Sequence, residues 1–407
     1  MNSAAQEGRV VRTQFGPACR ISRFKPAGHA EEVHLFIEPG EDGSFEEQLE
    51  QIVSVYHQAL DRLGLARHTA VFRRCFVSDA ANQLEAVMAS PLGPGTSAAE
   101  AAAVSCIEQP PLCFRKLALM AYHVSDVQPE DKTLVPMTGA GPHARTLVLE
   151  REQRAMLWTA QMTSEPQDAR ALHCTDQTTK LFTVYSDFLR SQGANLLGQS
   201  VRTWVFVHDV DRYYMDMVDA RREYFVKEGL TPETHYIVST GIEGRTAEPG
   251  SLVTLDAVAE RGLAEGQLVF IDRLDHLNRT DEYGVTFERA ARLDHAERSH
   301  VWLSGTASID SAGRVLHEGD VLGQVERTIE NVSVLLAEGR ASLDDVAAMI
   351  VYLRDGADAE RVTALLDRLS PTLPFITVRA PVCRPTWLVE IEAVAIVPND
   401  DSRWPRF

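Results

Sequence analysis

Cysteine is scarce in this sequence: six residues in 407, with no pair in CxxC spacing. That excludes a disulfide scaffold and a zinc ribbon, and it fits a reducing compartment. Also missing is any apolar run of the roughly 18 to 20 residues needed to cross a bilayer. The opening stretch MNSAAQEGRVVRTQF has no apolar core of a signal peptide. The expectation is a cytoplasmic protein with no membrane partner. Basic residues are in deficit, with 40 Lys and Arg against 58 Asp and Glu and a net charge of −18. Nucleic acid needs clustered cations, so it is not an expected partner either. A small anionic substrate has to be met by local arginines within an acidic surface. HExxH, P-loop and GxGxxG motifs and Cys/His clusters are all absent, and GAGP at 139–142 is a turn signal. No metal and no cofactor is therefore expected.

The sequence does have repetition. With 44% hydrophobic and 24% charged residues the chain is globular, and its length suggests two to three domains. Near the C-terminus, SHVWLSGTASI reads as a strand. The helix that follows carries Val321, Val325, Ile329, Val332 and Leu336 on one stripe. A buried strand ends at Asp355, ADAERVTALLDRL gives a second helix, and PFITVRAPV and WLVEIEAVAI close the unit. The same order appears from VHLFIEP onward and again from AMLWTAQM onward. Each first helix carries a Gln near its start, at 48, 177 and 324. An Asp at 79, 209 and 355 follows the next strand, 31, 32 and 31 residues later. Hairpins are read at 19–24, 143–152 and 283–293. The units are placed at about 10–125, 140–262 and 280–398, with connectors at 126–139 and 263–279 and a frayed tail at 399–407. Strands alternating with helices in this order give an α+β fold with helices on one face of each sheet.

One unit of this order, with SGTAS in its first strand and LVEIEAVAI in its last, resembles the YjgF-like Rid superfamily. Those proteins are small homotrimers whose sheets pack inward and whose sites lie in clefts between subunits. Three units in one chain then imply a covalent pseudo-trimer, with an inner sheet barrel and outer helices. A narrower resemblance to the chorismatases rests on several blocks. They are RTWVFV (202–207), YYMDMVDARREYF (213–225), STGIEG (239–244), SGTASI (304–309), HEGD (317–320) and VCRPTWLVEIEAVA (382–395). It covers mainly residues 200–398. That family removes pyruvate from chorismate without a cofactor, on the Rid-like scaffold. The insertion SIDSAGRVLHEGD and the chain length depart from the family pattern.

Aligning the last strands on Ala121, Ala257 and Ala393 puts Ala118, Thr254 and Glu390 at one position. Only the third unit carries an acid there, so one working site between the second and third units is expected. Alternation puts Glu390 and Glu392 on one face, away from Val389 and Ile391. Glu392 is read as structural, because Asp256 repeats it. Removing an enolpyruvyl arm begins with protonation of its methylene carbon. A Glu buried beside Trp387 can keep the proton that this needs. Glu390 is thus the candidate acid. The resemblance adds Cys383, at a position tied to formation of a hydroxybenzoate. Two substrate carboxylates call for arginines. The resemblance points to Arg379, with Arg384 as competitor, and Arg202 and Arg221 join it, Arg222 being read as a surface residue. Tyr214, and the small-residue turns of Thr240 and Gly241 and of Gly305 and Thr306, complete the candidate binding set. The alternatives are a Rid-type imine or enamine hydrolase, a tailoring enzyme on another small carboxylic acid, and a non-catalytic small-molecule binder. The expected assembly is a monomer or a dimer of pseudo-trimers.

Overall fold

The computed structural model describes residues 8–16, 18–97, 100–152 and 154–407. Residues 1–7, on which part of the N-terminal reading falls, lie outside them. The first unit runs β1 (Val10–Phe15), β2 (Cys19–Phe24), β3 (Glu32–Ile37), α1 (Phe45–Leu63), β4 (Ala70–Val77), α2 (Ala80–Ala89), β5 (Ala103–Glu108) and β6 (Leu117–Val124). The second begins with β7 (Lys132–Pro136), β8 (Arg145–Arg151) and β9 (Arg154–Met162). It continues through α3 (Pro166–Ala171), α4 (Cys174–Ser191), α5 (Leu196–Gln199), β10 (Ser200–Val207), α6 (Val210–Lys227), β11 (Val238–Glu243) and β12 (Val253–Arg261). The third comprises β13 (Leu268–Ile271), β14 (Ala290–Asp294), β15 (Arg298–Thr306), α7 (Val321–Glu338), β16 (Val346–Leu353), α8 (Ala359–Leu369), β17 (Phe375–Arg379) and β18 (Val389–Pro398).

Each unit is one six-stranded sheet, and the strand orders β1-β2-β3-β6-β4-β5, β7-β8-β9-β12-β10-β11 and β13-β14-β15-β18-β16-β17 are the same. The parallel pairs, β4–β5, β10–β11 and β16–β17, are those joined through a helix. Every residue of β4, β6, β10 and β16 is buried. Their sequences are therefore continuous apolar runs more than clean alternations. One face lies under helices, where the predicted α7 stripe is fully buried. The other faces meet each other. Phe72 stacks on Trp158 at 4.9 Å, and Trp302 lies 6.2 Å from Trp158 and 6.4 Å from Trp204, so all three units share this inner core. Among the described residues no helix is long and apolar enough to cross a membrane.

The repeated residues have repeated jobs. Gln48 accepts from Lys116 N at 2.7 Å and donates to Phe114 O. Gln177 does the same with Leu252 N and Gly250 O, and Gln324 with Leu388 N and Thr386 O. Each buried amide thus clamps the chain one residue before its unit's last strand. The repeated Asp residues occupy the N-cap of the helical segment after the central strand, and Asp79 and Asp355 accept a backbone N–H there.

Two details differ from the sequence reading. The connectors contain strands: β7 and β13 are the hairpin partners of β8 and β14, whereas the start of 283–293 is not a strand. Both are half-exposed edge strands, and β7 ends in proline, so neither shows the buried alternation that marks a central strand. The tail is not frayed either. Phe407 is buried with its ring 4.4 Å from the Arg298 guanidinium and 5.2 Å from that of Arg154, and Arg406 O accepts from Arg154 Nε at 2.8 Å. Cation–π contact and backbone pairing anchor a segment whose composition suggested solvent.

Replacing Gln48, Gln177 or Gln324 with Ala leaves a buried N–H and C=O unpaired. Each change is expected to lower unfolding stability by about 2 kcal/mol. Urea denaturation checks this, and three variants indistinguishable from the parent would refute the clamp.

Candidate functional site

A cavity of about 160 Å³ opens at the seam between the second and third units. Its floor is Glu390, on β18. The third unit adds Val285, Phe287 and Arg289 ahead of β14, Gly305 on β15, Ala307 and Ile309 beyond it, and Cys383, Arg384 and Trp387 from the loop before β18. The second unit adds Ser239 and Gly241 on β11 and the first turns of α6, from Val210 to Met215. That helix start is aimed by Glu243, whose carboxylate accepts from Val210 N at 2.6 Å and Asp209 N at 3.1 Å. The 381–387 loop is held from several sides. Gln324 grips Thr386 O, Pro381 O accepts from Glu243 N, and Arg354 reaches both Val382 O at 2.6 Å and Asp211 of α6.

The electrostatics favour a neutral acid. Glu390 is 5% exposed, and its carboxyl is pushed up to about 8, first by burial and then by the charge of Glu392, against the opposing pull of Arg202 and Arg289. Cys383 is pushed up to about 12 by burial, with Glu390 adding to the effect, so it sits as a thiol. Arg289 is buried and donates to Asn278 O at 3.0 Å and Asn278 Oδ1 at 3.1 Å. Arg384 lies over the Trp387 ring at 4.9 Å. Among the described residues no group of three His, Cys, Asp or Glu could hold a metal ion.

Of the residues singled out in the sequence, the structure brings Glu390, Cys383, Tyr214, Gly241 and Gly305 together on the cavity wall. Thr240 lies just behind, accepting from Gly305 N at 2.9 Å and donating to Glu392 at 2.6 Å. Arg202 does not line this cavity. It is 1% exposed and pairs with Glu392 at 2.7 Å. Arg221 is buried behind the wall, donating to Thr286 at 3.1 Å and Ser239 at 3.3 Å. Thr306 is buried and donates to Ser304 O. Arg379 ends β17 exposed, its N–H given to Pro110 O of the first unit, and its competitor Arg384 takes the wall position. Arg222 pairs with Asp219 on the surface.

Sequence reasoning missed Arg212 and Arg289 as wall residues. Arg212 directly precedes the two tyrosines that open α6, a signal that was available. Arg289 follows an irregular stretch, where no periodicity reveals direction.

The other two seams lack this cavity's parts. Strand pairing aligns Leu35, Thr159 and Leu303 opposite Ala121, Ala257 and Ala393. Two residues on stand Ile37, Gln161 and Gly305. At Gly305 a Cβ would collide with the Glu390 carboxylate, so the acid occupies the space that glycine leaves. At the first seam, Gln161 stands at the glycine's position and its side chain accepts from Cys106 N at 2.7 Å, while the neutral Thr254 stands at the position of the acid. Gly and Glu change together.

Protonation linkage follows from the raised carboxyl. Between its ordinary value of 4.5 and about 8, folded Glu390 keeps a proton that the unfolded chain has released, so stability falls as pH rises through that window. Glu390→Gln is expected to remove that decline. Thermal unfolding at about pH 5 and about pH 8 checks it, and a variant no better off relative to the parent at the higher pH would contradict it.

The comparisons with known proteins agree with this fold. The family model described as Endoribonuclease L-PSP matches residues 290–397. A chorismatase of Streptomyces hygroscopicus is 29% identical over 239 residues, 54% of this chain and 67% of that protein. A 3-hydroxybenzoate synthase of the same organism is 25% identical over 219 residues, 48% of this chain and 63% of that one. The match thus spans about two thirds of each relative. A RutC family protein of Pyrococcus abyssi is 31% identical over 97 residues, covering 23% of this chain and 76% of that one. A chorismatase crystal structure superposes with a TM-score of 0.60 at 18% identity, over 89% of this chain and 98% of that one, so the fold likeness extends beyond the sequence match. The chain belongs to the Rid superfamily, the endoribonuclease L-PSP family, and is a chorismatase-like member with three tandem units.

Proposed function

We propose that this chain removes pyruvate from chorismate, or from a closely related enolpyruvyl acid, by proton transfer from Glu390. The observation that carries the reading is a buried carboxyl, its proton held well above the usual carboxylate range, on a cavity also lined by Arg212, Arg289 and Arg384. The guanidinium groups meet the substrate carboxylates. Glu390 gives its proton to the terminal methylene carbon of the enol ether. The resulting oxocarbenium centre is stabilised by the carboxylate left behind. Loss of the arm as pyruvate leaves either a hydroxybenzoate, with no water added overall, or a dihydroxy-diene acid, with one water added. Cys383 on the wall beside Glu390 supports the hydroxybenzoate outcome. The chorismatase and 3-hydroxybenzoate synthase relatives support the same chemistry.

Pure protein incubated with chorismate should release pyruvate, read by a lactate dehydrogenase couple. Glu390→Gln should lower kcat by about 10²- to 10⁴-fold. The parent rate should fall as pH rises through about 8, because the protonated form is the active one. No pyruvate at high enzyme concentration, or an undiminished Glu390→Gln, would overturn the proposal. Cys383→Ala should keep pyruvate release but divert the aromatic product to the dihydroxy-diene acid, separated by chromatography. An unchanged product ratio would remove Cys383 from the mechanism.

A second reading has its own support. A relative from Acinetobacter baylyi named 3-aminoacrylate deaminase RutC is 29% identical over 99 residues. Ammonia release from 2-iminoacids, without turnover of chorismate, would select enamine or imine hydrolysis instead.

A further inference from the structure

Glu392 stands two residues beyond Glu390 on β18 and projects from the same face. It is buried and is not part of the cavity wall. Among the described residues, all of its side-chain hydrogen bonds come from the second unit: Oε2 accepts from Arg202 Nη2 at 2.7 Å and from Thr240 Oγ1 at 2.6 Å, and Oε1 accepts from Trp204 Nε1 at 2.7 Å. Thr240 in turn accepts from Gly305 N, the residue whose missing side chain makes room for Glu390. The network therefore runs across the seam and ends where the acid sits.

We propose that Glu392 is a positioning residue for the acid: its negative charge, locked in place by Arg202, Trp204 and Thr240, keeps the proton on Glu390. The proposal rests on the reading of Glu390 as proton donor. Residues two apart on a strand lie about 6.6 Å from each other at Cα. In a buried seam two carboxylates that close do not both ionise readily. Glu392 has an arginine and two neutral donors, so it takes the charge, and the proton stays on its neighbour.

The other groups facing Glu390 set the sign of any change. Arg202 of β10 and Arg289 ahead of β14 favour its ionised form, whereas Glu392 opposes it and acts more strongly than either one. Tyr352 of β16, Cys383 and Arg384 of the loop, and Tyr214, Asp211 and Arg212 of α6 complete the surroundings. Neutralising Glu392 removes the opposing charge and leaves Arg202 uncompensated. Both effects loosen the Glu390 proton.

The molecule contains its own control. Asp256 holds the matching position in the second unit and pairs with Arg74 of the first at 2.8 Å, both side chains being fully buried. Thr254 stands there in place of the acid. Glu392→Gln and Asp256→Asn each break a buried ion pair, so both should lose stability. Only Glu392→Gln should shift the alkaline limb of the kcat/KM profile with chorismate, moving it down by about one pH unit. A ¹³C carboxyl NMR titration, with Glu390 assigned from Glu390→Gln, reads the same shift without any substrate. Should Glu392→Gln not fold, Arg202→Met with Glu392→Met replaces the pair by apolar side chains, and the Glu390 midpoint should still fall. A midpoint unmoved in the variants at 392, with only the stability loss seen in Asp256→Asn, would overturn the proposal. A fallen midpoint without pyruvate release would uphold it and reject the assigned substrate.

Discussion

A sheet that is apolar on both faces has to be covered twice. Each six-stranded sheet here covers one face with its own helices and has nothing of its own for the other. The inner faces therefore meet around Phe72, Trp158, Trp204 and Trp302. Burial of this aromatic surface favours the association of the units, since each large ring removes roughly 150–250 Å² from water. Polar side chains at the seams then have to find partners in the neighbouring unit. Arg74 with Asp256, Arg202 with Glu392 and Arg298 with Glu32 are all buried pairs that cross from one unit to the next. Such pairs contribute little net stability but make misregistered packing costly, because a misplaced partner leaves a bare charge.

Joining three units in one chain removes the demand that their seams be identical. A homotrimer with glutamate at the position of Glu390 would bury three such acids, each opposing folding as it ionises. In this chain the acid and the glycine that accommodates it occur at one seam, while Gln161 and Thr254 stand at those positions in the first. Specialisation thus relieves two seams of a destabilising carboxyl and confines it to the one with arginines on its wall. The clamp by Gln48, Gln177 and Gln324 has been kept in all three units, because every last strand needs its entry fixed whether or not it carries chemistry.

The repeat was legible because the features that betray it are local. A buried amide at a helix start and an Asp after a central strand keep their spacing as long as the unit keeps its shape. Glu390 was legible for a related reason, since three aligned strands show which one differs. The edge strands β7 and β13 were not legible, as half-exposed segments carry little hydrophobic pattern. The arginines were the weakest part of the reading. Side-chain direction at Arg202 is decided by a carboxylate 190 residues away, and the backbone of Arg379 is tied to the carbonyl of Pro110 in another unit. Alternation along one strand says which face a residue takes, but not whether an ion pair has already claimed it. Arg289 and Arg212 reach the cavity from an irregular stretch and from a helix start, where no period applies.

Glu390 and Glu392 show how far environment outranks residue type. They share a strand, a face and a side chain, and they differ in what stands opposite them. Opposite Glu392 stand a guanidinium, an indole N–H and a hydroxyl. Opposite Glu390 stand the bare backbone of Gly305 and the cavity. The first set of partners suits a carboxylate, and the second suits a carboxylic acid awaiting a ligand. Exchanging the two sites would put the charge at the cavity and the proton against an arginine, the less favourable arrangement on both counts. The division of protonation states is therefore fixed by the second unit, through contacts that the third unit could not make alone. A third unit cut out of this chain would carry both glutamates without the guanidinium, indole and hydroxyl that hold Glu392.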